Sequence, residues 1–436
     1  MNRNKKEHLL GHKFHHYILV TTKTKTMKKL IITSSLILIL GLFSCKKETA
    51  TPMQPEEIAT AKPPSSPPPT SFLLWQKCLG SSAEDIGNSI AINSTNDAYF
   101  ICGNTMGNDG NVTGNLGGQD GWVVKTRLDG FLLWQVAIGG ANSDQANAVA
   151  ATADGGCLVA GATGGAVLTK ISASGTIEWT KTLDGDMAYA LINTVDGGFA
   201  IAGRTSNNLW LLKLDNTENV EWQTTYLFEG SKSDVAYSVT QTSDGEYVIA
   251  GRTLSIDNNA DICVVKVNGV GTVSWAKRLS STEGADVAFG ITASPADGGC
   301  VVTGYFASYN LLAAKLDIDG NVEWQKIFAG STASGHHGRA ILSSSQGYII
   351  TGRTNCKNGD IIASKGGDDL FVLRLDLDGN KIIPSHILGG KGNDIGRSLV
   401  ATPDGAYMAA GQTSSNNGDV SGNHGGSDVW MVKFRF

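Results

Sequence analysis

Residues 186–223 read DMAYALINTVDGGFAIAGRTSNNLWLLKLDNTENVEWQ, and this stretch decides the fold. It holds four short runs, three of them apolar. The first begins at Asp186 and continues with small residues, and the second follows the Asp196-Gly197-Gly198 turn and closes on Gly203-Arg204-Thr205. The third is WLLK (210–213), and the fourth is a polar stretch ending at Trp222-Gln223. Runs this short, rich in branched and aromatic side chains and bounded by Gly, Asp and Asn, are strands joined by turns. No run keeps a 3.6-residue period over ten residues, which excludes a helical solenoid.

The unit recurs. Its tryptophan stands at Trp75, Trp134, Trp179, Trp222, Trp275 and Trp324, and a seventh copy carries Ile383 in that slot, a mean spacing of about 51 residues. The leading Asp is Asp85, Asp144, Asp186, Asp234, Asp286 and Asp394, with His336 in the sixth copy. The second run ends at Gly103, Gly161, Gly203, Gly251, Gly304, Gly352 and Gly411, and the third carries one basic residue, as in WVVK (122–125) and WMVK (430–433). Four strands per copy, seven times, predicts an all-β, seven-bladed β-propeller over 71–436.

Closure is predicted from the ends. The last copy stops at Phe434-Arg435-Phe436 without its tryptophan strand, while Phe72-Leu73-Leu74-Trp75 stands alone at the front and FLLWQ returns verbatim at 131–135. The N-terminal strand should complete the seventh blade and leave no open seam. Small residues after each leading Asp suit crowded strands near the axis, and the tryptophans should wedge between neighbouring blades.

The remaining sequence is an address. Residues 27–44, MKKLIITSSLILILGLFS, have the basic start and short apolar core of an export signal. Leu42-Phe43-Ser44-Cys45 resembles the lipobox of bacterial lipoproteins, which implies a lipidated Cys45 and a chain anchored at the outer membrane or cell surface. Met27 reads as the start, with residues 1–26 an upstream over-call. Residues 45–70 hold seven of the ten prolines and read as a semi-rigid spacer.

The pattern D-x-A…DGG-x-x-x-A-G-x-T…W-V-V-K…D-x-x-G-x-x-x-W resembles the glycine-rich β-propeller repeats of secreted and surface proteins of Gram-negative bacteria, over essentially all of 71–436. Asp317-Ile-Asp-Gly-Asn-Val-Glu-Trp324 is also similar to the tryptophan-docking motif of quinoprotein-like propellers, where the tryptophan packs. The sugar motif of the bulb lectins is absent.

Composition narrows the function. Of 436 residues 54 are glycine and 17% are charged, yet 41% are hydrophobic, so the chain is neither disordered nor, lacking a three-residue glycine period, collagen-like. No apolar stretch is long enough for a membrane-spanning helix. The first 44 residues carry +7 and the whole chain −5, leaving the rest near −12. Such a body does not suit nucleic acid.

Three loops between second and third strands are long and alike: 108–120, 357–369 and 416–428. They belong to the first, sixth and seventh copies, contiguous once the ring closes, and should form one patch. Their Asn108, Asp109, Asn111, Asp120, Asn358, Asp360, Asp368, Asn416, Asp419, Asn423 and Asp428 are the candidate contact residues. No cofactor is indicated. Calcium is the one ion whose ligand types these loops carry, although Asn-Gly and Gly-Asp also make turns by themselves.

Other groups are assigned plainer roles. Cys102, Cys157, Cys263 and Cys300 read as small buried hydrophobes, with Cys78 and Cys356 left open as disulfide members. His336 and His337 are expected in a surface turn. Arg204, Arg252 and Arg353 recur in Gly-Arg-Thr, where they either attract an anion or satisfy neighbouring carboxylates. The reading that results is a monomeric, non-enzymatic binding or scaffold module for a protein or glycan partner. Its alternatives are a propeller enzyme, quinoprotein-like or polysaccharide-active, and a purely structural repeat.

Overall fold

The computed structural model describes residues 71–436 apart from 283, 296, 331–334 and 362–364. The signal, Cys45 and the spacer lie outside the described residues. Twenty-eight strands form seven four-stranded antiparallel sheets, the blades of a propeller. Six blades run outward from axis to rim in chain order. The seventh has the order Asp394–Ala401, Tyr407–Thr413, Asp428–Phe434 and, outermost, Leu73–Leu79 from the front of the chain.

The closing register repeats that of every tryptophan-bearing blade. Trp75 lies opposite Lys433, as Trp134 lies opposite Lys125, Trp222 opposite Lys213 and Trp324 opposite Lys315. Beyond the last rung, Arg435 N donates to Phe72 O at 3.0 Å. The predicted closure therefore forms.

The apolar core is divided into seven slabs, each shared by two neighbouring blades. Middle strands are buried on both faces, which explains their unbroken apolar runs. Trp122, Trp210 and Trp430 on third strands are fully buried, and each donates its indole N–H to the glutamine after an outer tryptophan: Gln135, Gln223 and Gln76, at 2.8–3.0 Å. The outer tryptophans do wedge between blades, but they are only half-buried.

In five of the seven blades the basic residue of the third run is drawn down to the Asp-Gly turn, Lys125 and Arg374 being the exceptions. Lys170 pairs with Asp154 at 2.6 Å, Lys213 with Asp196 at 2.8 Å, Lys266 with Asp244 at 2.5 Å and Lys433 with Asp404 at 2.8 Å, every lysine buried. These pairs lie at the face opposite the long loops.

The glycine closing each second run has a packing cause. A Cβ on Gly203 would lie 2.0 Å from Met187 O, and one on Gly251 1.8 Å from Val235 O. Without side chains there, the innermost strand can press against its neighbour and bulge. Each innermost strand does so beside this glycine, between Ala188 and Ala190 in the third blade and Ala236 and Ser238 in the fourth, whose strand has a further irregularity between Ser231 and Ser233. One extra residue is thereby expelled from the ladder.

Candidate functional site

The three long loops lie on the face where innermost strands begin, and they form one continuous rim. The first-blade loop holds the connection entering its blade: Asp109 accepts from Ser82 N and Oγ at 2.7 and 2.6 Å, and Asn111 Oδ1 from Gly80 N at 3.2 Å. The seventh-blade loop reaches the same connection through Gly426 N, which donates to Ser82 O at 3.2 Å. On its other side Asp419 accepts from Gly389 N at 3.0 Å and pairs with Lys365 of the sixth-blade loop. Each loop also buries one apolar residue: Val112, Ile361 or Val420.

The designated polar residues are brought together, yet most build the rim. Asn111, Asp360 and Asp419 share a task, accepting from the backbone N–H of Gly80, Ala329 and Gly389, and Asp419 pairs with Lys365 besides. Asn108 and Asn416 accept from Gly114 and Gly422, while Asn423 bridges Thr413 O and Gly425 N. Asp368 pairs with Arg353. Asp428 is buried against His424, and Asp120 accepts from Leu116 N at 2.6 Å. Asn358 is exposed, as are the apolar Met106 and Leu116 on the first-blade loop. Among the described residues no three His, Cys, Asp or Glu side chains cluster as metal ligands.

Two expectations are corrected here. His336 is in no surface turn; it is fully buried, hydrogen-bonded to Thr354 Oγ1 at 2.8 Å and Ala329 O at 3.1 Å, where other blades use an aspartate to hold the same connection. His337 is half-buried, its ring tilted against Tyr305 with centroids 4.7 Å apart, and burial with Arg353 and Arg339 pushes its pKa down to about 3. Cys78 and Cys356 are buried free thiols, as are the other four described cysteines; burial, then Asp428 and Asp394, pushes Cys78 up to about 12.

A second site lies on the axis. The seven residues expelled by the bulges are Asn88, Asn147, Tyr189, Tyr237, Phe289, Arg339 and Arg397, and together they ring the channel. A cavity of about 260 Å3 extends from this ring along the innermost strands, and another of about 240 Å3 is bounded by the ring alone. The ring is sorted by chemistry. Asn88 and Asn147 donate to carbonyls of the next blade, Ala146 and Ala188, keeping their amide oxygens as acceptors. Tyr189, Tyr237 and Phe289 form a continuous aromatic arc with centroids 5.1 and 5.4 Å apart. Arg339 and Arg397 close the circle.

Among the described residues no carboxylate forms an ion pair or hydrogen bond with either arginine, although Glu84 acts on Arg397 from a distance. Arg339 lies 4.0 Å from the Phe289 centroid and its buried Nε is unbonded; Arg397 meets only the Gln412 amide oxygen, at 2.7 Å. Burial and the charges of Arg397 and Arg353 bring Arg339 down to about 10. Nearer the loop face, Arg204 and Arg252 also lack carboxylate partners and lie within electrostatic reach of Tyr237, whereas Arg353 is satisfied by Asp368. No carboxylate lines either cavity. Alternation along a strand does not reveal this ring, because the bulge reverses which residue faces inward.

No protein-family model and no curated protein matches the chain. Solved structures do. The WD40 repeats of RRP9 superpose with a TM-score of 0.52 at 11% identity, covering 83% of this chain and all of that one. The Dos1 propeller gives 0.48 at 12% identity over 83% of this chain and 95% of its own, and a protein of unknown function from Bacteroides caccae gives 0.40 at 13% over 64% and 93%. The likeness to the RRP9 repeats is of fold alone, and it agrees with the seven four-stranded sheets: the chain is a seven-bladed β-propeller.

Proposed function

We propose that this protein is an exported, lipid-anchored binding module of the glycine-rich bacterial propeller type, held off the membrane by its proline-rich spacer and engaging a protein or glycan of the cell envelope without chemistry of its own. One observation carries the binding reading: the only three enlarged loops of the repeat meet across adjacent blades as a single hydrogen-bonded rim, with Met106 and Leu116 presented outward at 54% and 65% exposure. A preorganised rim loses little entropy on docking. The lipobox-like segment ending at Cys45 supports the anchor.

The test is capture of envelope proteins and glycan-array binding with the full chain and with Leu116→Asp/Met106→Asp. Saturable binding lost in the double variant supports the reading, and binding unaffected by it overturns the rim as contact surface. A Cys45→Ala chain recovered in the soluble fraction supports the anchor; one still sedimenting with membranes argues against it.

A further inference from the structure

We propose that the central channel binds a small organic carboxylate with a flat apolar face, its carboxylate held by Arg339 and Arg397 and its flat face laid against Tyr237 and Phe289. This goes beyond the rim reading and does not depend on it, because the channel residues come from innermost strands and not from loops.

Three observations converge. First, two half-buried guanidiniums project into an open-ended channel lined by no carboxylate, in a protein of net charge −5. Acidic residues are plentiful elsewhere and are paired with the buried lysines, whereas none lines the channel, where Glu84 acts on Arg397 only from outside the lining. An unpaired buried charge is costly, and a bound anion removes that cost. Second, the guanidiniums keep donors to spare. Arg339 makes no hydrogen bond to any described residue, and Arg397 makes bonds to a single amide oxygen, so both retain forks suited to a carboxylate. Third, the aromatic residues occupy consecutive blades beside the arginines, and Arg339 already stacks over Phe289. A flat ligand can lie on that arc while its charged end reaches the arginines. The amide oxygens of Asn88 and Asn147 on the remaining wall accept hydrogen bonds from hydroxyls. A space of about 260 Å3 admits a ligand of one ring, either an aryl carboxylate or a sugar acid.

Calorimetric titration of the full chain with benzoate and with glucuronate tests this, with benzamide and glucose as uncharged counterparts. One or both carboxylates should bind at one site per chain and raise Tm, and the uncharged compounds should not. The two arms distinguish an aryl from a sugar source. Arg339→Gln and Arg397→Gln should each weaken binding at least about tenfold, while Tm of the unliganded variant stays level or rises. That combination separates a ligand-holding arginine from one that merely supports the fold, and if one variant fails to fold the other makes the same test. Arg374→Gln, at the outer seam, should bind as the unaltered chain does. Absence of binding by both carboxylates, equal binding of the uncharged compounds, or unchanged affinity in the arginine variants overturns the proposal.

Discussion

Trp222 donates its indole N–H to the carbonyl of Gly269 at 2.9 Å, across the boundary between the third and fourth blades. The contact belongs to a series. Trp134 reaches Ala173 O, Trp275 reaches Ile318 O and Trp324 reaches Leu377 O, each in the strand-three to strand-four turn of the next blade. The ring closely overlies a glycine of left-handed φ, Gly271 at 84° beneath Trp222, where any Cβ would meet the indole at 3.0 Å. Trp222→Ala should cost about 2–3 kcal/mol, below a fully buried tryptophan, because the ring is half-exposed. Denaturant unfolding measures this, and a loss under half a kilocalorie would remove the dock from the stability argument.

The series ends where the chain ends. In the sixth blade Ile382, and not the expected Ile383, lies opposite the basic Arg374, and Ile383 is 77% exposed; the third and outer strands of the neighbouring seventh blade come from opposite ends of the propeller sequence, so no turn joins them to receive a tryptophan. Ile383→Trp should therefore leave Tm essentially unchanged; a stabilisation as large as the Trp222 loss would contradict this account.

The lysine pairs differ in redundancy. Among the described residues Lys170 pairs with one carboxylate, Asp154, while Lys213 pairs with both Asp196 and Glu221, at 2.8 and 2.9 Å. Removing one acid strands a buried charge only in the first case. Asp154→Ala should cost about 2–3 kcal/mol and Asp196→Ala about 1 kcal/mol or less. Equal losses in chemical denaturation would refute the distinction.

Carboxylates pull the pH dependence in two directions. Burial works against ionisation of Asp154, Asp196 and Asp404, but hydrogen bonds from Lys170, Lys213 and Lys433 outweigh it and bring all three to about 2. Their stabilisation is complete above the ordinary carboxylate pKa and is lost as pH falls through about 2. Asp120 is opposite in sign: burial, and after it the facing Asp144, raise its pKa against the Leu116 N–H. A Cβ at Gly139 would lie 2.4 Å from Asp120 Oδ1 and 2.6 Å from Asp144 Oδ2, so the two carboxylates converge, and Asp120 Oδ1 has no partner. Its contribution is fully present below the unfolded pKa and lost as pH rises through the raised value. Asp120→Asn should stabilise the protein at neutral pH by about 1 kcal/mol, with the gain shrinking as pH falls toward about 4. Tm followed across pH checks both the gain and its decline.

Gly251→Ala tests the origin of the channel ring. The added carbon would lie 1.8 Å from Val235 O, a backbone atom that cannot rotate away. The bulge that expels Tyr237 should be lost, with a penalty of about 3 kcal/mol or more and a changed tyrosine environment in near-ultraviolet circular dichroism. A variant with native stability and spectrum would show that the bulge does not need the glycine.

Blade number, strand order and circular closure were legible in the linear chain, because each rests on local pattern: alternating turn residues and apolar runs, seven times, with one orphan strand at the front. The grouping of the three long loops followed from the order of copies and the closure. The roles of individual side chains did not. Asn111, Asp360 and Asp419 look like ligand donors in sequence but serve neighbouring backbone N–H groups, because a connecting segment of the adjoining blade needs acceptors there. His336 seemed a turn residue and is a core hydrogen-bonding group. Arg204, Arg252 and Arg353 carry one motif but divide, since only Arg353 has Asp368 beside it. The channel ring was decided by tertiary structure alone: a single extra residue per innermost strand inverts the inside–outside alternation, and only circular closure brings Arg339, Arg397 and Phe289 around one axis.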